Sequence, residues 1–149
     1  AGAFGYDNYG GLTVLFHPGG WCLFLLMVVW QIPHFLAIAW MYRDDYAAGG
    51  YRMMPIVDPT GRATSTTILV WSIALLAATL APALVMREHL GVAYAAVAAL
   101  SGLVFLAMCI RLARARTRAN ARKVFFASII HLPLLLMAMV ADALITRVL

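Results

Sequence analysis

Charge is scarce in this 149-residue chain: Asp, Glu, Lys and Arg together make up 11% of it, against 64% hydrophobic residues. With a mean hydropathy of +0.90, that scarcity excludes a soluble domain, which could not cover so much apolar surface at this size. Cysteine is nearly absent as well. Cys22 and Cys109 fall near opposite ends of two different apolar spans, and sulfurs held most of a bilayer apart cannot bond, so no disulfide is expected. No basic segment leads into a short apolar core near Ala1, so no signal peptide is expected and the chain reads as the back part of something longer. There is no internal repeat, low-complexity tract or soluble domain boundary. A net charge of +5 with a pI near 9.7 raises the question of nucleic acid. The basic residues flank apolar runs without alternating aromatics, so they read as topology signals at an anionic membrane surface, and no nucleic-acid partner is expected.

What is present is a set of long apolar runs. Residues 1–19, rich in glycine with Asp7, Asn8 and Pro18, read as an outer loop in which His17 has no role. Residues 20–41 hold no formal charge and give ~33 Å of helix at ~1.5 Å per residue, enough to cross a bilayer. Pro33 removes one backbone hydrogen bond there, which places its face against protein rather than lipid. Residues 42–65 carry Gly49, Gly50, Pro55, Pro59 and Gly61 and read as a cap loop folded back on the helix ends. Further spans are predicted over 66–86, 90–110 and 124–145, the first two joined by a tight turn at Arg87, Glu88 and an interfacial His89. Alanine, Gly91, Ser101 and Gly102 in the third span predict a close antiparallel pair with the second. The expected fold class is therefore all-α: a polytopic transmembrane helical bundle of four spans in a single domain over 20–145.

Orientation follows from the cations. With the first span running outward to inward, Arg43, Arg52, Arg62, Arg111, Arg114, Arg116, Arg118, Arg122 and Lys123 share the inner face, and only Arg87 and Arg147 lie outside. That asymmetry places the cap loop on the cytoplasmic side.

Polar residues within the apolar runs are the candidates for chemistry, because hiding an ionisable group from water is costly. Gln31, His34 and Asp45 fall within ~40° of one another if the first helix continues into the loop. His131 and Asp142, eleven residues apart on the fourth span, lie ~20° from a common face. His34 fits a site residue or a partner for a neighbouring helix about equally. Asp44 and Asp45 offer hard oxygen ligands for Mg²⁺, which takes one or two carboxylates and shares a substrate's phosphate oxygens, with Arg43 and Arg52 available for the remaining phosphate charge. A solvated Asp pair balancing nearby arginines at a helix end is the more frequent meaning of such a doublet.

The run from Trp30 to Pro55, WQIPHFLAIAWMYRDDYAAGGYRMMP, resembles the signature of the protoheme IX farnesyltransferases, or haem O synthases, of the intramembrane prenyltransferase superfamily. That signature has W-Q-x-P-H-F, a Tyr/Arg/Asp/Asp/Tyr cluster, A-G and M-x-P; here Ala48 and Gly49 are followed by an additional Gly50. The resemblance implies a partial nine-helix fold, with the four spans as its last four helices and Asp44 and Asp45 as the second of two aspartate motifs. The first, N-D-x-x-D, is absent, and residues 1–19 depart from the family. By the same resemblance Arg43, Asp44 and Asp45 are catalytic, Asp44 and Asp45 hold Mg²⁺, and Gln31, His34, Tyr42, Tyr46 and Arg52 bind substrate. Trp30, Phe35, Trp40 and Tyr42 are the nearby aromatics that could steady a cation, although aromatics in membrane helices more often pack or anchor at the interface. The implied reaction passes a farnesyl group from farnesyl diphosphate to a vinyl group of haem b. The implied setting is a cell inner membrane, with haem A synthase or terminal oxidase assembly as partners. Another superfamily member acting on an aromatic acceptor, and a non-catalytic haem-binding or oxidase-assembly membrane protein, are the alternatives.

Overall fold

Four apolar runs become four long helices, each long and apolar enough to cross a membrane. The computed structural model describes residues 18–88 and 90–148. His17, His89, Asp7 and Asn8 lie outside them. In chain order the helices are α1 (Pro18–Met41), α2 (Arg43–Ala48), α3 (Met54–Val57), α4 (Arg62–Val85), α5 (Val92–Arg114) and α6 (Arg118–Val148). The short α2 and α3 occupy the stretch expected as a cap loop. The long helices α4 and α6 begin at Arg62 and Arg118, where the apolar pattern alone predicts 66 and 124, because their basic first turns are already helical.

The four long helices close into a ring: α1 packs against α4 and α6, α4 against α5, and α5 against α6. The chain runs up and down through successive long helices, so the end of α1, α2, α3 and the junction between α5 and α6 all gather at one end of the bundle. Pro33 is fully buried in α1, on a face turned to protein. The predicted close pair of α4 and α5 is present. Leu76 of α4 rests on Gly102 of α5, where an added Cβ would meet its Cδ1 at 2.6 Å. Cys22 and Cys109 are free thiols.

Two carboxylates hold helix starts. At the loop end, Asp58 accepts the Ala63 backbone N–H at 2.6 Å, a donor that the first turn of α4 leaves open, and also the Thr60 hydroxyl at 2.6 Å. The Thr60 hydroxyl, followed by backbone N–H groups, holds the Asp58 carboxyl below its ordinary pKa. A depressed carboxylate pKa contributes stability above the unfolded value of ~4 and loses it as pH falls through the folded one. Amide protection at Ala63 is therefore expected to hold from neutral pH down to about pH 4 and to fall below it. Asp58→Asn removes that pH dependence, and hydrogen exchange measures both.

At the opposite end Asp142 of α6, only 5% exposed, accepts the backbone N–H groups of Gly91 at 2.5 Å and Tyr94 at 3.2 Å. It thereby supplies from another helix the cap that α5 lacks in its own sequence, with its charge at the positive end of the helix dipole. Asp142→Ala is expected to cost about 2 kcal/mol, the upper range of cap losses, read as a lowered detergent unfolding midpoint, with Asp142→Asn recovering part of it.

Candidate functional site

His34 sits where α1 meets α6, and α6 fixes it through Ser128. The Ser128 hydroxyl donates to the Phe125 carbonyl at 2.6 Å, so its oxygen can only accept from His34 Nδ1, 2.7 Å away. The proton of the neutral imidazole is thereby assigned to Nδ1, and Nε2 keeps the lone pair. The ring is also fixed in plane. The Trp30 indole stacks on it at 4.5 Å and 19°, and Phe125 faces it at 5.3 Å and 28°. Trp30 is held in turn, its Nε1–H donating to the Ser128 carbonyl at 2.9 Å. Ser128 thus organises both rings, and the apolar pattern gave no reason to single it out. The only trace was a lone hydroxyl inside an apolar run, three residues before His131.

The helix does not continue unbroken to the aspartates. α1 ends at Met41, and Tyr42, with φ −111° and ψ 22°, leaves helical geometry before α2 begins. The polar stripe drawn for a continuous helix therefore stops short of Asp45, and Gln31 is exposed. Asp44 and Asp45 occupy the first turn of α2, a position favourable for negative charge. Arg43 lies across the face of Trp40, 4.7 Å from the ring centre, and its Nε is 3.5 Å from the Asp44 carboxylate. Asp44 is 91% exposed, so this pair adds little stability and leaves the carboxylate available to a ligand.

Arg43 and Asp44 line a hollow of about 210 Å³ with Ala47, Pro55, Ile56 and Pro59. Asp45 is exposed beside it. Tyr46 packs edge-on against Tyr51 at 5.8 Å, and the exposed Arg52 lines no part of this hollow. Tyr42 goes elsewhere: it lies under Arg118, 5.7 Å from the guanidinium, in a separate cleft between the end of α1 and the start of α6. Trp40 packs on Gly61, so of the aromatics considered for steadying a cation it is committed to holding Arg43 and the start of α4.

No group of three or more His, Cys, Asp or Glu among the described residues is placed to hold a metal. Asp44 and Asp45 are two exposed carboxylates in the first turn of α2, and of the two it is Asp44 that lines the hollow.

His131 and Asp142 are both buried but belong to a different network. Nε2 of His131 lies 3.3 Å from Thr79 Oγ1, Phe105 stacks on the ring at 5.7 Å, and the Tyr94 hydroxyl donates to the Thr79 carbonyl at 2.9 Å. With the Asp142 cap, these contacts bind α4, α5 and α6 together; they do not reach the aspartate end.

Comparison with known proteins places this arrangement. The UbiA prenyltransferase family pattern matches residues 2–130, taking in most of the N-terminal stretch that reads as a departure from the prenyltransferases. A protein named protoheme IX farnesyltransferase in Solibacter usitatus is 43% identical over 133 residues, 89% of this chain and 44% of that one. Its namesake in Salinibacter ruber is 37% identical over 135 residues (91% and 47%), and that in Opitutus terrae 44% over 128 residues (84% and 42%). The chain spans about half the length of these curated relatives. No solved structure matches it. With its fold, its aspartate helix and a match over most of its length, this chain belongs to the UbiA prenyltransferase family.

Proposed function

We propose that the whole protein containing these helices transfers a farnesyl group from farnesyl diphosphate to a vinyl carbon of haem b, giving haem O. The observation that carries this reading is His34: an imidazole with its proton assigned to Nδ1 and its lone pair on Nε2, clamped between two aromatic rings. A flat, apolar iron macrocycle suits such a group, which can ligate the metal or meet the ring edge. Relatives that carry the farnesyltransferase name support it.

Asp44 and Asp45 would hold Mg²⁺ through carboxylate oxygens, which supplies countercharge to the diphosphate. Arg43, kept over Trp40, adds a cation for the charge that grows as the allylic C–O bond breaks and its electron pair leaves with the diphosphate. The vinyl carbon then forms a bond to C1 of the farnesyl group. Water takes the resulting cation, giving the hydroxyl and releasing a proton. The apolar walls of the spans limit earlier capture by water. The cationic end of the bundle faces the cytoplasm of an inner membrane, following the distribution of Lys and Arg.

The test is to supply the whole protein in membranes with haem b, farnesyl diphosphate and Mg²⁺ and to look for the hydroxyfarnesyl adduct by mass. Haem retained without any adduct would favour a binding or assembly protein. An adduct formed on an aromatic acid in place of haem would favour another prenyl acceptor.

A further inference from the structure

The cleft between the end of α1 and the start of α6 has a volume of about 760 Å³ and is lined by Tyr42, Arg118, Arg122, Lys123, Phe125 and Phe126 among others. Three cations meet there, no carboxylate lines it, and none of the three forms a salt bridge among the described residues. They stand in the first two turns of α6, where the helix dipole opposes positive charge. Arg111 and Arg114, by contrast, occupy the favourable last turn of α5. Topology accounts for cations at this end of a bundle, but not for an aromatic seat beneath them. The Arg118 guanidinium lies 5.7 Å from the Tyr42 ring and that of Arg122 5.5 Å from Phe126.

The cleft is separate from the aspartate hollow, which is lined by Arg43, Asp44, Ala47, Pro55, Ile56 and Pro59; the two share no residue. A diphosphate bridged by Mg²⁺ needs carboxylates on the metal, and the cleft offers none. Bare carboxylates suit it better. Phe125 joins it to the histidine, since the ring that lines the cleft also faces His34 at 5.3 Å. Along α6, Lys123 and Arg122 precede Ser128, the residue that fixes His34, by ~7.5 and ~9 Å.

Taking haem b as the acceptor, as above, we propose that this cleft receives its two propionates, with Arg122 and Lys123 as their cationic partners. The macrocycle then lies along Phe125 toward His34. The propionates select a dicarboxylate acceptor and fix which edge of the ring enters first.

The test compares haem b with its dimethyl ester on the whole protein, using absorbance to read binding in neutral and in anionic lipid vesicles. Wild type is expected to bind the diacid roughly tenfold more tightly, a modest charge-assisted gain for partly exposed groups. Arg122→Gln with Lys123→Gln is expected to erase that preference while binding the diester as wild type does, and the single Arg122→Lys to keep most of it. Equal losses for both acceptors would overturn the assignment, as would an effect confined to anionic vesicles, which marks a lipid headgroup site. A raised KM for farnesyl diphosphate with haem binding intact would give the cleft to the diphosphate instead. Wild-type uptake that ignores esterification overturns the cleft alone; no uptake of either haem overturns the acceptor as well.

Discussion

Replacing Asp44 or Asp45 with Asn in the whole protein is expected to lower farnesyl transfer by about 10²- to 10³-fold, the range seen when one preorganised charge-stabilising group is removed. Asparagine keeps the size and one acceptor oxygen of aspartate but removes the charge that binds a divalent ion. The loss should fall mainly on kcat, because charge on the leaving diphosphate develops as the C–O bond opens. Haem uptake, proposed above to rest on the α1 and α6 faces, should be unchanged. The Asp44 change also releases Arg43, whose Nε lies 3.5 Å from that carboxylate, so the two variants need not match. Rates within threefold of wild type for both would sink the assignment. They would leave the pair with the smaller task of favouring the first turn of α2.

The second large effect is expected at Gly61. Its backbone has φ +67°, a left-handed conformation that costs other residues roughly 1–2 kcal/mol. An added Cβ would also lie 2.0 Å from Cη2 of Trp40, whose indole is 7% exposed and packed on this glycine. Gly61→Ala should therefore cost about 3 kcal/mol. It should also lower transfer by displacing the ring on which Arg43 rests. Unfolding midpoints in mixed detergent micelles give the first effect and adduct formation gives the second. In a Trp40→Phe background the Gly61 penalty should shrink, because the atoms that clash are gone. Strict additivity of the two changes would show that Trp40 is not what the glycine accommodates.

These two sites differ in how far the sequence disclosed them. The aspartates stand in a contiguous run with Trp30, His34 and Arg43, and apolar length alone was enough to count four spans. Gly61 reads only as one loop glycine among several, since its value lies in a ring twenty-one residues earlier that folds over it. Ser128 and Thr79 were hidden for a related reason. A hydroxyl in an apolar helix can satisfy itself on its own backbone, as Ser72 does on the Leu69 carbonyl at 2.7 Å. Only the facing helix shows that Ser128 also receives His34. Helix starts at Arg62 and Arg118 escaped the apolar pattern because polar first turns contribute nothing to it, although the Asp58 carboxylate and Thr60 hydroxyl were in plain view upstream. The end of α1 at Met41 falls where the apolar run stops; what the pattern does not show is the short helix α2 that resumes at Arg43, one residue after the break at Tyr42.

The carboxylate that closes the start of α5 comes late. Asp142 lies 51 residues after Gly91, so on a growing chain the amides it will cap wait roughly 3 to 10 s at ~5–20 residues per second. During that interval the pair of spans α4 and α5 is already long enough to enter the bilayer with its turn unfinished. Chains ending before Asp142 should therefore leave that hairpin open to membrane quality-control proteases, and chains ending just after it should not.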